Sequence, residues 1–204
     1  MSLEKQLAID LYKIEAVQIK PDRSFTWTSG IKSPIYCDNR LTLSYPAIRN
    51  RIADAFVEKI KQLDDTPDCI AGCATAGIPH AAWLADKLDL PMVYVRSKPK
   101  AHGKGNQIEG KIAKGQKVVV IEDLISTGGS AIQTAEALRD QGVEVLAVIA
   151  IFTYGLPKAN HAFDQSNLPL HTLTNFDVLS ELLLEKNTIT KAEYNSLLDW
   201  RKEL

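Results

Sequence analysis

A chain of 204 residues, 45% hydrophobic and 24% charged, has the size of one α/β domain and enough apolar material for a core without disulfide or metal staples. Disordered, collagenous and disulfide-scaffold classes are thereby excluded. Lys plus Arg number 24 against 25 Asp plus Glu, a net charge of -1, so nothing in the whole-chain balance recruits nucleic acid or an anionic membrane, and any anion site must be local.

The chain opens on Leu3, Leu7, Leu11 and Ile14, an apolar stripe at helical spacing that predicts a helix ending near Val17. Glu4, Lys5, Asp10, Lys13, Glu15 and Lys20 are scattered where a signal peptide needs an apolar stretch, which points to the cytoplasm. Residues 25–38 follow as two short β-prone runs around Ser29-Gly30, a small hairpin outside the main domain. After Pro46, the residues Ile48, Ile52, Phe56 and Ile60 predict a second amphipathic helix up to about Leu63.

From there short apolar runs alternate with helical patterns, as in βαβ units around a parallel sheet. Core strands are expected at residues 69–72, 92–95, 117–121 and 143–152, with a weaker one at 170–173; helices fall at 78–88 and 131–140. The longest apolar run, residues 145–152, falls well short of the roughly 18 residues that suggest a membrane span. Leu179, Leu182 and Leu183 mark a further helix, and Thr190 with Glu193 reads as the capping box of the last. Cys37, Cys69 and Cys73, odd in number and without a nearby Cys/His pair, read as reduced thiols rather than disulfides or metal ligands.

In such sheets ligands sit beyond the carboxyl ends of the strands, and three loops there are unusual. The first continues strand 117–121 through Glu122, Asp123, Leu124, Ile125, Ser126, Thr127, Gly128, Gly129 and Ser130 into a helix. Its hydroxyls, glycines and helix N-terminus offer backbone N–H groups and a positive dipole end to a phosphate. The adjacent carboxylates would repel a bare dianion but accept hydrogen bonds from sugar hydroxyls, so a ribose 5-phosphate fits both halves. Neither G-x-x-x-x-G-K-[ST] nor G-x-G-x-x-G is present, which excludes a P-loop and a dinucleotide fingerprint. The second loop, Ala71-Gly-Cys-Ala-Thr-Ala-Gly-Ile-Pro79, is built of small residues that serve equally to pack helix on strand or to admit a ligand to the backbone. The third, residues 96–110, carries Arg96, Lys98, Lys100 and Lys104 against Glu109, with His102 among glycines; long loops in compact domains are often lids or binding loops.

The segment VVVIEDLISTGGS resembles the phosphoribosyl diphosphate motif of the type I phosphoribosyltransferases. Combined with the basic loop and the hairpin, it is similar to the orotate phosphoribosyltransferases over nearly the whole chain. The resemblance implies one domain over residues 1–204: a parallel sheet flanked by helices, with residues 1–40 contributing to an N-terminal hood. It implies a homodimer with active sites shared across the interface, Mg2+ as cofactor, and small-molecule substrates with no nucleic acid or membrane partner. Arg96, Lys100 and His102 would contact phosphoribosyl diphosphate, as would residues 122–130 and the backbone of Thr75, Ala76 and Gly77. Ser126 would help bind orotate. Lys100 and His102 would close over the leaving pyrophosphate, while Glu122 and Asp123 orient the ribose hydroxyls; Lys100, His102 and Asp123 are thus the expected catalytic residues.

The chain departs from that pattern where many relatives carry lysine, here Thr28, and where some carry a second basic residue, here Ser97. The arginine that many relatives place after the 143–152 strand has no counterpart in Thr153-Tyr154-Gly155. Backbone N–H groups of the turn at 29–33, with Lys32, are the expected substitute for holding the orotate carboxylate. The alternatives are a phosphoribosyltransferase for another base, or a phosphoribosyl-diphosphate-sensing regulator of the same fold.

Overall fold

The computed structural model describes residues 1–27, 30–97 and 107–204. Ser2 caps the first helix, α1 (Leu3–Lys13), by accepting from the Lys5 N–H at 3.3 Å. The helix stops before Val17, contrary to the apolar spacing, because Glu15 takes a left-handed φ of 60° and turns the chain. Val17 opens a strand instead, β1 (Val17–Ile19).

The short strands β2 (Phe25–Thr26) and β3 (Lys32–Ser33) form the expected hairpin, with Phe25 opposite Ser33 and Thr26 opposite Lys32. Gly30 supplies the positive φ, 85°, that the turn requires. The third short strand, β4 (Ile35–Cys37), is not an arm of that hairpin: it pairs with β1, Val17 opposite Cys37. Pro34, which has no N–H, separates β3 from β4, and its carbonyl accepts from the Lys20 N–H at 2.7 Å. A 3-10 turn (Asn39–Ser44) then leads into α2 (Pro46–Ile60), with Pro46 at the helix start.

The main sheet is built from β5 (Cys69–Cys73), β6 (Met92–Val95), β7 (Ile108–Glu109), β8 (Lys117–Ile125), β9 (Glu144–Thr153) and β10 (Leu170–Asn175). Between them lie α3 (Gly77–Leu88), α4 (Gly129–Arg139) and α5 (Pro157–Gln165); α6 (Phe176–Glu185) and α7 (Lys191–Lys202) end the chain. The strand order is β10-β9-β8-β5-β6-β7. All neighbours are parallel except β6 and β7. Runs such as Val118, Val119, Val120 and Ile121 are fully buried, as strands covered on both faces must be. One hydrophobic cluster extends from Leu7 of α1 to Trp200 of α7. Thr190 and Glu193 form both halves of the capping box ahead of α7.

Three further elements differ from expectation. Strand β8 runs on through Glu122, Asp123, Leu124 and Ile125, held by β9 with Glu122 opposite Ala150 and Leu124 opposite Phe152, so the acidic pair belongs to a strand end and not to a loop. Ile108 and Glu109 pair with Val95 and Tyr94, which closes the stem of the basic segment as an antiparallel ladder. Helix α5 was not expected, since it buries only Ala159 and Phe163 and its remaining face is polar. Among the described residues, no helix is long and apolar enough to cross a membrane.

Candidate active site

Chain order places β6 on one side of β5 and β8 on the other, so the loops after β5 and β8 diverge and open a crevice at the switch point. That crevice holds a cavity of about 290 Å3 lined by residues 74–76 and 122–131. It brings together the first two expected loops, with Thr75 and Ala76 facing Glu122 to Ser130. Gly77 does not line it; a Cβ there would run into the Ile121 carbonyl, so its small size serves the packing of α3 against β8. The Ala74–Thr75 peptide is cis.

On the β8 side, Ser126, Thr127 and Gly128 form the turn and Gly129 and Ser130 begin α4, whose N-cap, Gly128, has a left-handed φ of 83° and no side-chain cap. The first-turn N–H groups of α4 are thereby left for a ligand. Cys73 ties this end of α4 to the sheet, with its Sγ 3.2 Å from Thr134 Oγ1 and 3.8 Å from the Ser130 carbonyl. Burial first, then the nearby Glu122 carboxyl, pushes the Cys73 thiol upward, so it is a packing group and not a nucleophile.

Glu122 is 7% exposed, and its Oε1 accepts from the Asp123 N–H at 2.9 Å. Burial, then the charge of Asp123, holds the Glu122 carboxyl above its ordinary range. Burial also raises Asp123. Two such neighbours share a proton more readily than they ionise together, and the arrangement offers both a donor and acceptors to sugar hydroxyls.

The residues after β4 complete the acidic side and were not anticipated. Asn39, fully buried, donates from Nδ2 to the Asp123 carbonyl at 2.6 Å. Arg40 grips Asp38 through two hydrogen bonds of 2.6 and 2.8 Å. Asp38 and Arg40, together with Cys37, Thr75, Ala76 and Asp123, line a second cavity of about 480 Å3. The polar run Asp38-Asn39-Arg40 straight after a β-prone segment was the available signal.

A third cavity, about 680 Å3, adjoins the turn of the phosphate-type loop through Leu124, Ser126 and Thr127 and is walled by Trp27, Tyr36 and Tyr154. Trp27 and Tyr154 stack with ring centroids 5.1 Å apart and an interplanar angle of 15°. Such a wall suits a flat heteroaromatic ring. Lys32 is not among its lining residues; its Nζ donates across the hairpin to Thr26 Oγ1 at 2.8 Å. In the same turn, the Gly30 N–H is taken by the Trp27 carbonyl at 2.8 Å.

Arg96 lies at the stem of the basic segment, 3.6 Å from Glu109, with its backbone bonded to Gln107. Lys98, Lys100, His102 and Lys104 lie outside the described residues, as do Thr28 and Ser29. Among the described residues, no group of three or more His, Cys, Asp or Glu could hold a metal ion.

Residues 43–172 match the model of the phosphoribosyl transferase domain. Across 99% of its length the chain is 60% identical to the orotate phosphoribosyltransferase of Listeria innocua, covering 97% of that protein. The chain belongs to the orotate phosphoribosyltransferase family. The Bacillus pumilus orotate phosphoribosyltransferase is 58% identical over 98% of this chain and 95% of its own. Among solved structures, the orotate phosphoribosyltransferase of Aeropyrum pernix superposes with a TM-score of 0.75 at 30% identity, covering 89% of this chain and 98% of that one. Membership in the orotate phosphoribosyltransferases fits the site: a crevice of hydroxyls, carboxylates and a helix N-terminus at the switch point beside an aromatic-walled cavity.

Proposed function

We propose that the chain transfers the 5-phosphoribosyl group of phosphoribosyl diphosphate to orotate, giving orotidine 5'-monophosphate and pyrophosphate in pyrimidine (UMP) biosynthesis. The observation that carries this reading is the meeting of the two cavities at Ser126, which lines both. A ribose in the first and a pyrimidine in the second would have their reacting atoms face each other there.

The ring nitrogen of orotate attacks C1 of the ribose as pyrophosphate departs, so positive charge develops on the sugar and negative charge on the leaving group. Residues 126–130 and the α4 N-terminus receive the 5-phosphate through N–H groups and hydroxyls. The backbone at Thr75 and Ala76 faces the diphosphate. Asp123 and Glu122 orient the ribose hydroxyls and offset charge on the sugar. Arg96, Lys100 and His102 bind the diphosphate, and Lys100 and His102 close over it to exclude water.

Mg2+, when bound, neutralises part of the diphosphate charge. The donor set fits a hard ion that would be held mainly by substrate oxygens and water: the carboxylates of Glu122 and Asp123 line the cavity, and among the described residues no group of three or more His, Cys, Asp or Glu forms a cage. The enzyme acts as a cytoplasmic homodimer that shares its sites across the interface, and residues 1–40 form the hood of a single domain. These last readings rest on the family resemblance and on the charge of the 96–104 segment.

The test supplies orotate, uracil, adenine and hypoxanthine in turn, with phosphoribosyl diphosphate and magnesium. Orotidine monophosphate and pyrophosphate from orotate alone are expected; turnover of another base with orotate inert would overturn the reading.

A further inference from the structure

The aromatic-walled cavity must accept a base that carries a carboxylate, and a carboxylate taken out of water needs a charge-assisted partner. Lys32, the residue expected to supply it, is turned toward Thr26 and does not line the cavity. Only one cation does among the described residues, Lys158. It stands in the first turn of α5, directly after Pro157 and close to Tyr154, whose ring forms part of the wall.

Two features make this position suited to an anion. The N-cap of α5 is Leu156, which provides no side-chain hydrogen bond, so no capping carboxylate or hydroxyl competes for the positive end of the helix beside Lys158. The one acidic side chain lining the same cavity, Glu203, is already paired with Arg23 at 3.7 Å. No ion pair of Lys158 occurs among the described residues, and the residue is exposed at the cavity wall.

From this geometry, and resting on the orotate reading above, we infer that Lys158 is the specificity-determining residue that holds the orotate carboxylate, in place of the arginine absent from Thr153-Tyr154-Gly155. Lys158 then takes the carboxylate at the wall of the base cavity that it shares with Trp27 and Tyr154, while Ser126, which lines both cavities, meets the edge of the ring next to the ribose. Recognition then divides between flat aromatic contact, which any pyrimidine satisfies, and one charge, which only an acid satisfies.

The experiment measures KM for orotate and for phosphoribosyl diphosphate in the wild type and in Lys158→Ala, Lys158→Glu, Lys158→Arg and Lys32→Ala, with Tm recorded for each. Loss of the charge should raise the orotate KM tenfold or more, and Lys158→Glu should exceed Lys158→Ala. Lys158→Arg should restore most of the affinity, while the KM for phosphoribosyl diphosphate moves less than twofold in all. An orotate KM within twofold of wild type in both Lys158→Ala and Lys158→Glu would overturn the assignment, as would a rise confined to Lys32→Ala. If the wild type itself does not consume orotate, the functional reading fails and the assignment falls with it; if it does, only the role of Lys158 is at stake.

Discussion

Glu122 is the residue where burial and chemistry are most directly opposed. Its carboxyl is nearly sealed beneath the crevice, and burial with the charge of Asp123 moves it from 4.5 to about 8. The folded state therefore binds more protons than the unfolded chain between those values. The stability this group contributes is complete below the lower one and is lost as pH rises through the upper. Gln is the closest mimic of the protonated acid, so Glu122→Gln should match the wild-type Tm in acid and exceed it increasingly as pH rises to about 8. Each kcal/mol is worth about 2–4 °C in a domain of this size. Thermal melts of the ligand-free protein across pH check it: a Tm difference that stays flat would show that Glu122 remains ionised in the folded state.

At the scale of elements, the turn from β8 into α4 depends on one glycine. Gly128 holds a φ of 83°, and a Cβ there would lie 2.7 Å from Phe163 Cε2 on α5. Gly128→Ala should cost about 1–3 kcal/mol and weaken phosphoribosyl diphosphate binding, because the N–H groups of the first turn would be re-aimed. Gly129 has nothing within 4 Å of a Cβ, so Gly129→Ala should leave Tm nearly unchanged. Equal Tm losses in the two variants, read by calorimetry, would count against the steric account. The same turn marks what could be read in the amino-acid order. Its glycines, hydroxyls and acids stand in one contiguous run and were legible, as were the buried β strands, whose apolar runs are continuous. The end of β8 was not, since Glu122 and Asp123 read as loop residues and only pairing with Ala150 and its neighbours on β9 makes them strand. Pairings between distant segments were equally hidden: β4 with β1, Asn39 with Asp123, and Trp27 with Tyr154. Each is set by tertiary packing, on which local propensity is silent. Lys158 escaped notice for a similar reason, because α5 is short and only Ala159 and Phe163 of it are buried.

Over the whole molecule, a net charge of -1 conceals two opposed regions, the cationic segment that starts at Arg96 and the acidic pair at the end of β8. If the cationic segment and the acidic pair serve one substrate, as proposed, they must meet over it, either within a chain or between two. If the sites are shared across a dimer, as proposed, the site of each subunit combines its own Asp123 with Lys100 from the partner. Asp123→Asn and Lys100→Ala homodimers should each lose roughly 10²–10³ in turnover, the scale for losing one preorganised charged group. In an equimolar random mixture half of the dimers are mixed, and each mixed dimer holds one site with both residues intact, so activity should recover to about a quarter of wild type. If each chain instead closes over its own site, no mixed dimer contains an intact site and activity stays at the level of the parents. Co-expression with two different affinity tags, sequential purification of the mixed dimer and a turnover assay distinguish the cases. Half the wild-type rate per purified mixed dimer is expected, and a parental rate from verified mixed dimers would reject the shared site.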